Sequence, residues 1–150
     1  MTTEFFHFGI SVSNIEIAIK VLVEEFGLNV QSRRKVDHEY IGRLIGVEGA
    51  TCEIVMIDAG NNTFIELLDW SLPARDLAKQ VTLLSQVGAM HICLYVKDIN
   101  SILEKVLVSK FSELIGEGST TVPIGPNSGA KVAFVKSFDG IFIELFQKKD

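Results

Sequence analysis

His7-Phe8-Gly9-Ile10-Ser11-Val12-Ser13-Asn14-Ile15 is the stretch that decides the fold, because it returns as His91-Ile92-Cys93-Leu94-Tyr95-Val96-Lys97-Asp98-Ile99. Both copies have His first, Val at the sixth place, Asn or Asp at the eighth and Ile at the ninth. A second motif closes each copy: Phe64-Ile65-Glu66-Leu67-Leu68 and Phe142-Ile143-Glu144-Leu145-Phe146. The interval from His to Glu is 59 residues in the first copy and 53 in the second. A repeat of this length means one supersecondary unit used twice.

Working outward, residues 5–12 are rich in Phe, Ile and Val and predict a strand. Ser13 stands three residues before Glu16, a capping-box spacing. Ile15, Ile19, Leu22, Val23 and Phe26 follow at helical intervals, and Gly27 marks the C′ position. A strand is expected over 30–36, a loop or short helix over 40–49, and strands over 50–58 and 63–68 around a Gly60-Asn61-Asn62 turn. The first module, residues 1–70, therefore reads βαβββ. A linker over 71–88 predicts a short helix from Leu77, Val81 and Leu84. The second module, 89–150, repeats the order. It has a strand over 90–96, Asp98 as N-cap, and a helix with Ile99, Ile102, Leu103 and Val106 on its apolar side. A Gly/Pro-rich segment over 116–129 follows, then strands over 131–136 and 141–147 around an Asp139-Gly140 turn. Together the modules predict one α+β domain spanning 1–150.

Side chains alternate across a strand. His7 thus shares a face with Gly9 and Ser11, and His91 with Cys93 and Tyr95, while Ile10, Val12, Ile92 and Leu94 face the helices. Glu66 and Glu144 sit between Phe64, Leu68, Phe142 and Phe146. A carboxylate enclosed by such neighbours needs a cation, since burying it unpaired costs several kcal/mol. A lone His or Glu on a strand is ordinarily a packed or salt-bridged residue. Four of them in equivalent registers mean more. If the modules pair face to face, His7, Glu66, His91 and Glu144 converge, their two carboxylates balance a divalent ion, and their N and O donors suit Zn, Ni, Co, Mn or Fe. The competing reading is a relic site that keeps the residues and holds no metal. Ser11, Cys93, Tyr95 and Trp70 are expected to line the same pocket. His38 and Glu48 are expected at the surface, and so is Glu53.

The net charge of −5 excludes a typical nucleic-acid binder. The Arg33-Arg34-Lys35 run is the one dense positive spot, expected as a solvated strand end, with contact to an anionic substrate as the alternative. Hydrophobic residues at 47% and charged residues at 22% predict a packed globular core. Cys52 and Cys93 have no metal or redox spacing, which fits a reducing cytoplasm. The sequence shows no signal peptide and no apolar run of membrane-spanning length, so no membrane partner is expected.

The duplicated βαβββ module with these His and Glu positions resembles the vicinal oxygen chelate superfamily, which includes glyoxalase I, methylmalonyl-CoA epimerase, extradiol dioxygenases and bleomycin-resistance proteins. The segments that carry the likeness are 7–12, 64–67, 90–92 and 139–145, together with Gly46-Val47-Glu48-Gly49-Ala50. The ligand pattern is most similar to glyoxalase I. The resemblance implies curved sheets around a cup with one divalent ion at its base, held by His7, Glu66, His91 and Glu144. It implies a small-molecule substrate and a lyase or isomerase that moves a proton next to a carbonyl through an enediolate, with Glu66 or Glu144 as base. A homodimer is expected, since modules can pair within or between chains. Fe(II) ring-cleaving dioxygenase, CoA-ester epimerase and non-catalytic binding or resistance protein are the alternatives. Glu66 weakens the epimerase, which typically has glutamine there. The helix lacks the usual aromatic pair at Val21-Leu22, Phe138 stands where proline is common, and no arginine set for glutathione is present. The substrate is therefore open.

Overall fold

A computed structural model of the chain describes residues 5–37, 39–74 and 83–149. The chain divides into two compact units, residues 1–79 and 80–150. Unit 1 runs β1 (His7–Ser11), α1 (Ile15–Lys20), β2 (Asn29–Val36), α2 (Glu39–Ile45), β3 (Thr51–Asp58) and β4 (Phe64–Leu72). Unit 2 runs β5 (His91–Tyr95), α3 (Ile99–Leu107), β6 (Glu113–Thr121), β7 (Lys131–Lys136) and β8 (Phe142–Gln147). Each unit is a four-stranded mixed sheet, ordered β1-β4-β3-β2 and β5-β8-β7-β6, with its first and last strands parallel. The remaining pairings are antiparallel. This is the α+β architecture that the repeat predicts.

One face of each sheet is covered by its helix. Ile15, Ala18, Val21 and Leu22 are buried, as are Val55, Ile57, Ile65 and Leu67 of the strands. In unit 2, Ile99, Leu103 and Val106 of α3 are buried, and so are Ala133, Val135, Ile143 and Leu145. Each such branched side chain contributes about 1.5–3 kcal/mol when fully buried. The helices start alike, on the eighth residue of each opening motif. Asn14 Oδ1 accepts from the amides of Glu16 (3.0 Å) and Ile17 (3.1 Å), and Asp98 Oδ1 accepts from that of Asn100 (3.0 Å). The Ile15 amide then donates to Asp69 Oδ2 at 3.1 Å, and the Ile99 amide to Gln147 Oε1 at 2.8 Å. Asp69 and Gln147 each stand three residues beyond the motif glutamate, so the last strand of each unit anchors the helix.

Several expectations are revised. The N-cap of α1 is Asn14, not Ser13: Asn14 is the extended residue whose side chain reaches the free amides, and it matches Asp98 in the repeat. The helix widens into a π turn over Val21–Glu25 before Gly27 (φ 75°) ends it. Of the two readings for residues 40–49 the short helix is the one formed, over 39–45, and Gly42 within it is required because a Cβ there would stand 2.6 Å from the Val47 carbonyl oxygen. Much of the Gly-rich segment after Gly116 is strand, since a register shift between Ile115 and Thr120 absorbs Gly116 and Gly118 into β6. The turn before β8 is built as expected, with Asp139 (φ 54°) and Gly140 (φ 74°) left-handed. Of the linker helix, Leu77 and Val81 lie outside the described residues, as does His38, and Leu84 is in a turn. Among the described residues no helix is long and apolar enough to cross a membrane.

Candidate metal centre

The face of each sheet opposite its helix carries one histidine and one glutamate on its parallel strand pair. In unit 1, His7 is level with Phe64, and Gly9 with Glu66. This offset brings His7 Nε2 to 3.4 Å from Glu66 Oε2, with side-chain exposures of 35% and 18%. The His7 ring packs edge-on against Phe6, and its Nδ1 is buried with no hydrogen-bond partner. The carboxylate lies close over β1 at Gly9, where a Cβ would be in ordinary contact with Glu66 Oε2 at 3.7 Å.

In unit 2, His91 is level with Phe142, and Cys93 with Glu144. His91 Nε2 stands 3.0 Å from Glu144 Oε2, and the side chains are 43% and 19% exposed. Phe134, level with Glu144 on β7, packs edge-on against the His91 ring. Cys93 replaces Gly9. Although Cys93 is exposed as a residue, burial of its thiol, then the charge of Glu144 and a hydrogen bond to that carboxylate, push it up to about 11. The thiol therefore stays protonated beside Glu144 at neutral pH. Buried Cys52 is likewise pushed up to about 11, first by burial and then by Asp69 and Glu66.

Each unit thus brings two of the four sequence-derived ligands together. Within neither unit do the described residues form a group of three or more His, Cys, Asp or Glu side chains suited to a metal. The expected pocket residues lie on the same faces. Trp70 Nε1 donates to Ser11 Oγ at 3.0 Å, tying β4 to β1 beyond Glu66. Tyr95 is 71% exposed, its ring meets Phe146 edge-on, and the Lys148 ammonium lies 4.5 Å from the ring centroid.

The basic run is placed by register. It lies inside β2, not at a strand end. Arg33 faces the helix side and is held between Glu16 (2.5 Å) and Glu53 (2.7 Å), while Arg34 is level with Ile54 on the histidine face. Arg33 holds the Glu53 carboxyl below its usual range. Glu53 therefore serves a structural ion pair, and Glu48 is exposed. Sequence reading gave α2 no role, yet Ile41 seals a cluster with Val36, Ala50, Cys52 and Ile54, against which Leu68 and Trp70 pack. A cleft of about 330 Å³ beside Ser109, Ser112 and Lys136, and one of about 260 Å³ beside Lys35, Thr51 and Asp69, contain none of the four ligands.

No protein-family model and no curated protein matches this sequence. Solved structures do. A glyoxalase family protein from Bacillus cereus is 24% identical with a TM-score of 0.85, over 100% of this chain and 97% of that one. The trypanothione-dependent glyoxalase I of Leishmania major is 21% identical with a TM-score of 0.60, over 97% and 87%. An antibiotic-binding protein from a Streptomyces species, TnmS3, is 16% identical with a TM-score of 0.58, over 99% and 98%. The chain has the glyoxalase-like fold of these structures. That fold serves enzymes and non-enzymes alike, so function must be argued from the site.

Proposed function

We propose that the chain is a divalent-metal lyase or isomerase of glyoxalase type, moving a proton at the carbon next to a carbonyl of a small-molecule substrate. The observation that carries this reading is the twofold occurrence of an imidazole nitrogen beside a carboxylate oxygen, at 3.4 Å and 3.0 Å. With bonds of about 2.1 Å, two ligands of one ion stand about 3.0 Å apart at a right angle and about 3.4 Å apart at the tetrahedral angle. Both pairs have that spacing, and the donor set of two N and two O suits Zn, Ni, Co, Mn or Fe. In this reading the four donors meet when the two faces are apposed, within one chain or between the chains of a homodimer.

A bound divalent ion would supply Lewis acidity toward two vicinal oxygens of the substrate. The protein does the rest. His7 and His91 would hold the ion through their Nε2 atoms. Either Glu66 or Glu144 takes the proton from the carbon beside the carbonyl onto a carboxylate oxygen and returns it to the neighbouring carbon. Phe64 and Leu68, or Phe142 and Phe146, keep water from that carboxylate. Ser11, Trp70, Cys93 and Tyr95 form the walls. Free Cys52 and Cys93 are consistent with a reducing cytoplasm. A second reading, a small-molecule binding protein without turnover, is favoured by the exposure of Tyr95 and by the fold it shares with an antibiotic-binding protein.

Purified chain loaded in turn with Zn, Ni, Co and Mn should retain about one ion per chain. It should also exchange solvent deuterium into the carbon beside a carbonyl when screened against 2-oxoaldehyde–thiol adducts and acyl-CoA esters. Absence of a stoichiometric ion would leave a relic site. Dioxygen uptake with catechols by Fe(II)-loaded chain, without carbonyl exchange, would make it an oxygenase.

A further inference from the structure

The open face of unit 2 carries an aromatic platform that continues from its histidine–glutamate pair. Glu144, Phe146 and Lys148 alternate onto one side, and Tyr95 lies level with Phe146 on the neighbouring strand. At about 3.3 Å per residue, the Phe146–Tyr95 pair sits roughly 7 Å beyond Glu144. Tyr95 is 71% exposed, although its ring is ordered by Phe146 at 5.5 Å and 89°. Lys148 reaches over that ring, and among the described residues no salt bridge links it to a carboxylate. In unit 1 the same registers hold Ser11, Leu68 and Trp70, and the Trp70 indole is hydrogen-bonded to Ser11. At these registers unit 2 presents an exposed ring with a cation over it, and unit 1 does not.

We infer that Tyr95, Phe146 and Lys148 are specificity-determining residues, and that the substrate carries a flat apolar or aromatic body with a carboxylate on the side remote from its two vicinal oxygens. This rests on the metal-centre reading above, which places the oxygens beside His91 and Glu144. The body then lies against the exposed Tyr95 ring and the half-buried Phe146 ring. The carboxylate meets the Lys148 ammonium, a single positive charge suited to a single negative one. The lysine already lies over the ring, so little ordering of its side chain is needed on binding.

The test uses the full chain loaded with Zn²⁺ and three chelating probes: acetohydroxamate, benzohydroxamate and 4-carboxybenzohydroxamate. Calorimetric titration should show benzohydroxamate binding about tenfold more tightly than acetohydroxamate. The carboxylated probe should bind about fivefold more tightly again. Tyr95→Ala should erase the first step and Lys148→Gln only the second, with zinc content unchanged in both. Equal affinity for all three probes in a chain that holds zinc would overturn the platform and leave the metal centre standing. A chain that holds no zinc would overturn the metal centre instead. The platform is then read with naphthalene-2-carboxylate, which does not chelate. Shifts of the Tyr95 and Phe146 ring resonances that vanish in Lys148→Gln support it, and unmoved resonances overturn it.

Discussion

The faces that carry the two histidine–glutamate pairs share a backbone plan and differ in what covers them. In unit 1 the chain between the second and third strands forms α2, and Ile41 closes that end of the face over Cys52 and Ile54. In unit 2 the corresponding connection, residues 122–130, forms no helix. Val132, Phe146 and Tyr95 there are half-buried or exposed. A duplicated sheet can therefore keep its two donors in register while a single loop decides whether the rest of the face becomes core or remains open to a ligand. Cys93 against Gly9 is a second asymmetry, placed directly beside the glutamates.

Equivalence of the two pairs is tested most strongly by removing a donor. His7→Ala and His91→Ala should each weaken zinc binding at least about a hundredfold, since even a residue that merely supports a ligand is worth about ten to a hundredfold. Competition with a chelator of known affinity measures this. A loss confined to one variant would show that the two faces do not share an ion. The glutamates should part company. An amide oxygen can still coordinate metal but cannot accept a proton at neutral pH. One of Glu66→Gln and Glu144→Gln should keep much of its metal while kcat falls by about 10²–10⁴-fold. The other should lose activity in step with its metal. Parallel behaviour in both assays would deny that the Gly9 and Cys93 surroundings distinguish them.

Smaller effects probe the covered face. Ile41→Ala should cost about 2–5 kcal/mol by opening a cavity beneath α2. Ile124→Ala, in the helix-free connection of unit 2 and 80% exposed, should stay within about 0.5 kcal/mol. Urea denaturation compares the two, and similar costs would contradict the difference in cover. Smallest is Glu53→Gln, which should cost less than about 1 kcal/mol after solvent screening. Arg33 depresses the folded-state pKa of Glu53. The stabilisation is therefore present above the ordinary glutamate value of about 4.3 and is lost as the pH falls through the lower folded value. Melting curves of the variant should lack that acid-side increment. An unchanged pH profile would mean that the Arg33 bridge contributes nothing to stability.

The fold was legible because the repeat is written in residue types that tolerate few readings. His7 and His91 sit in matched alternating strands, and Phe64-Ile65-Glu66-Leu67 and Phe142-Ile143-Glu144-Leu145 match again at the end. The pairing of each histidine with its own glutamate follows from that register. What escaped was what depends on distant contacts. Ser13 and Asn14 both qualify locally as caps, and only the free amides of α1 choose between them. The strand through Gly116 and Gly118 escaped because a register shift cannot be seen in one strand without its partner. The ion pair of Glu53 escaped because nothing nearby in sequence announces Arg33. The role of α2 was hidden because Ile41 and Gly42 acquire meaning only against Val47, Cys52 and Ile54.

Asp69 and Gln147 give the chain a way to proofread itself. Each belongs to the same strand as a proposed ligand, three positions further on, so it lies on the opposite side and grips the first turn of the preceding helix. A slip of β4 or β8 by one residue would turn Glu66 or Glu144 into the apolar interior and withdraw Asp69 or Gln147 from the helix start in the same movement. A misaligned strand thus forfeits its helix anchor together with its carboxylate. Each half assembles correctly or betrays its error through a frayed helix, and the duplication has carried this safeguard into both halves.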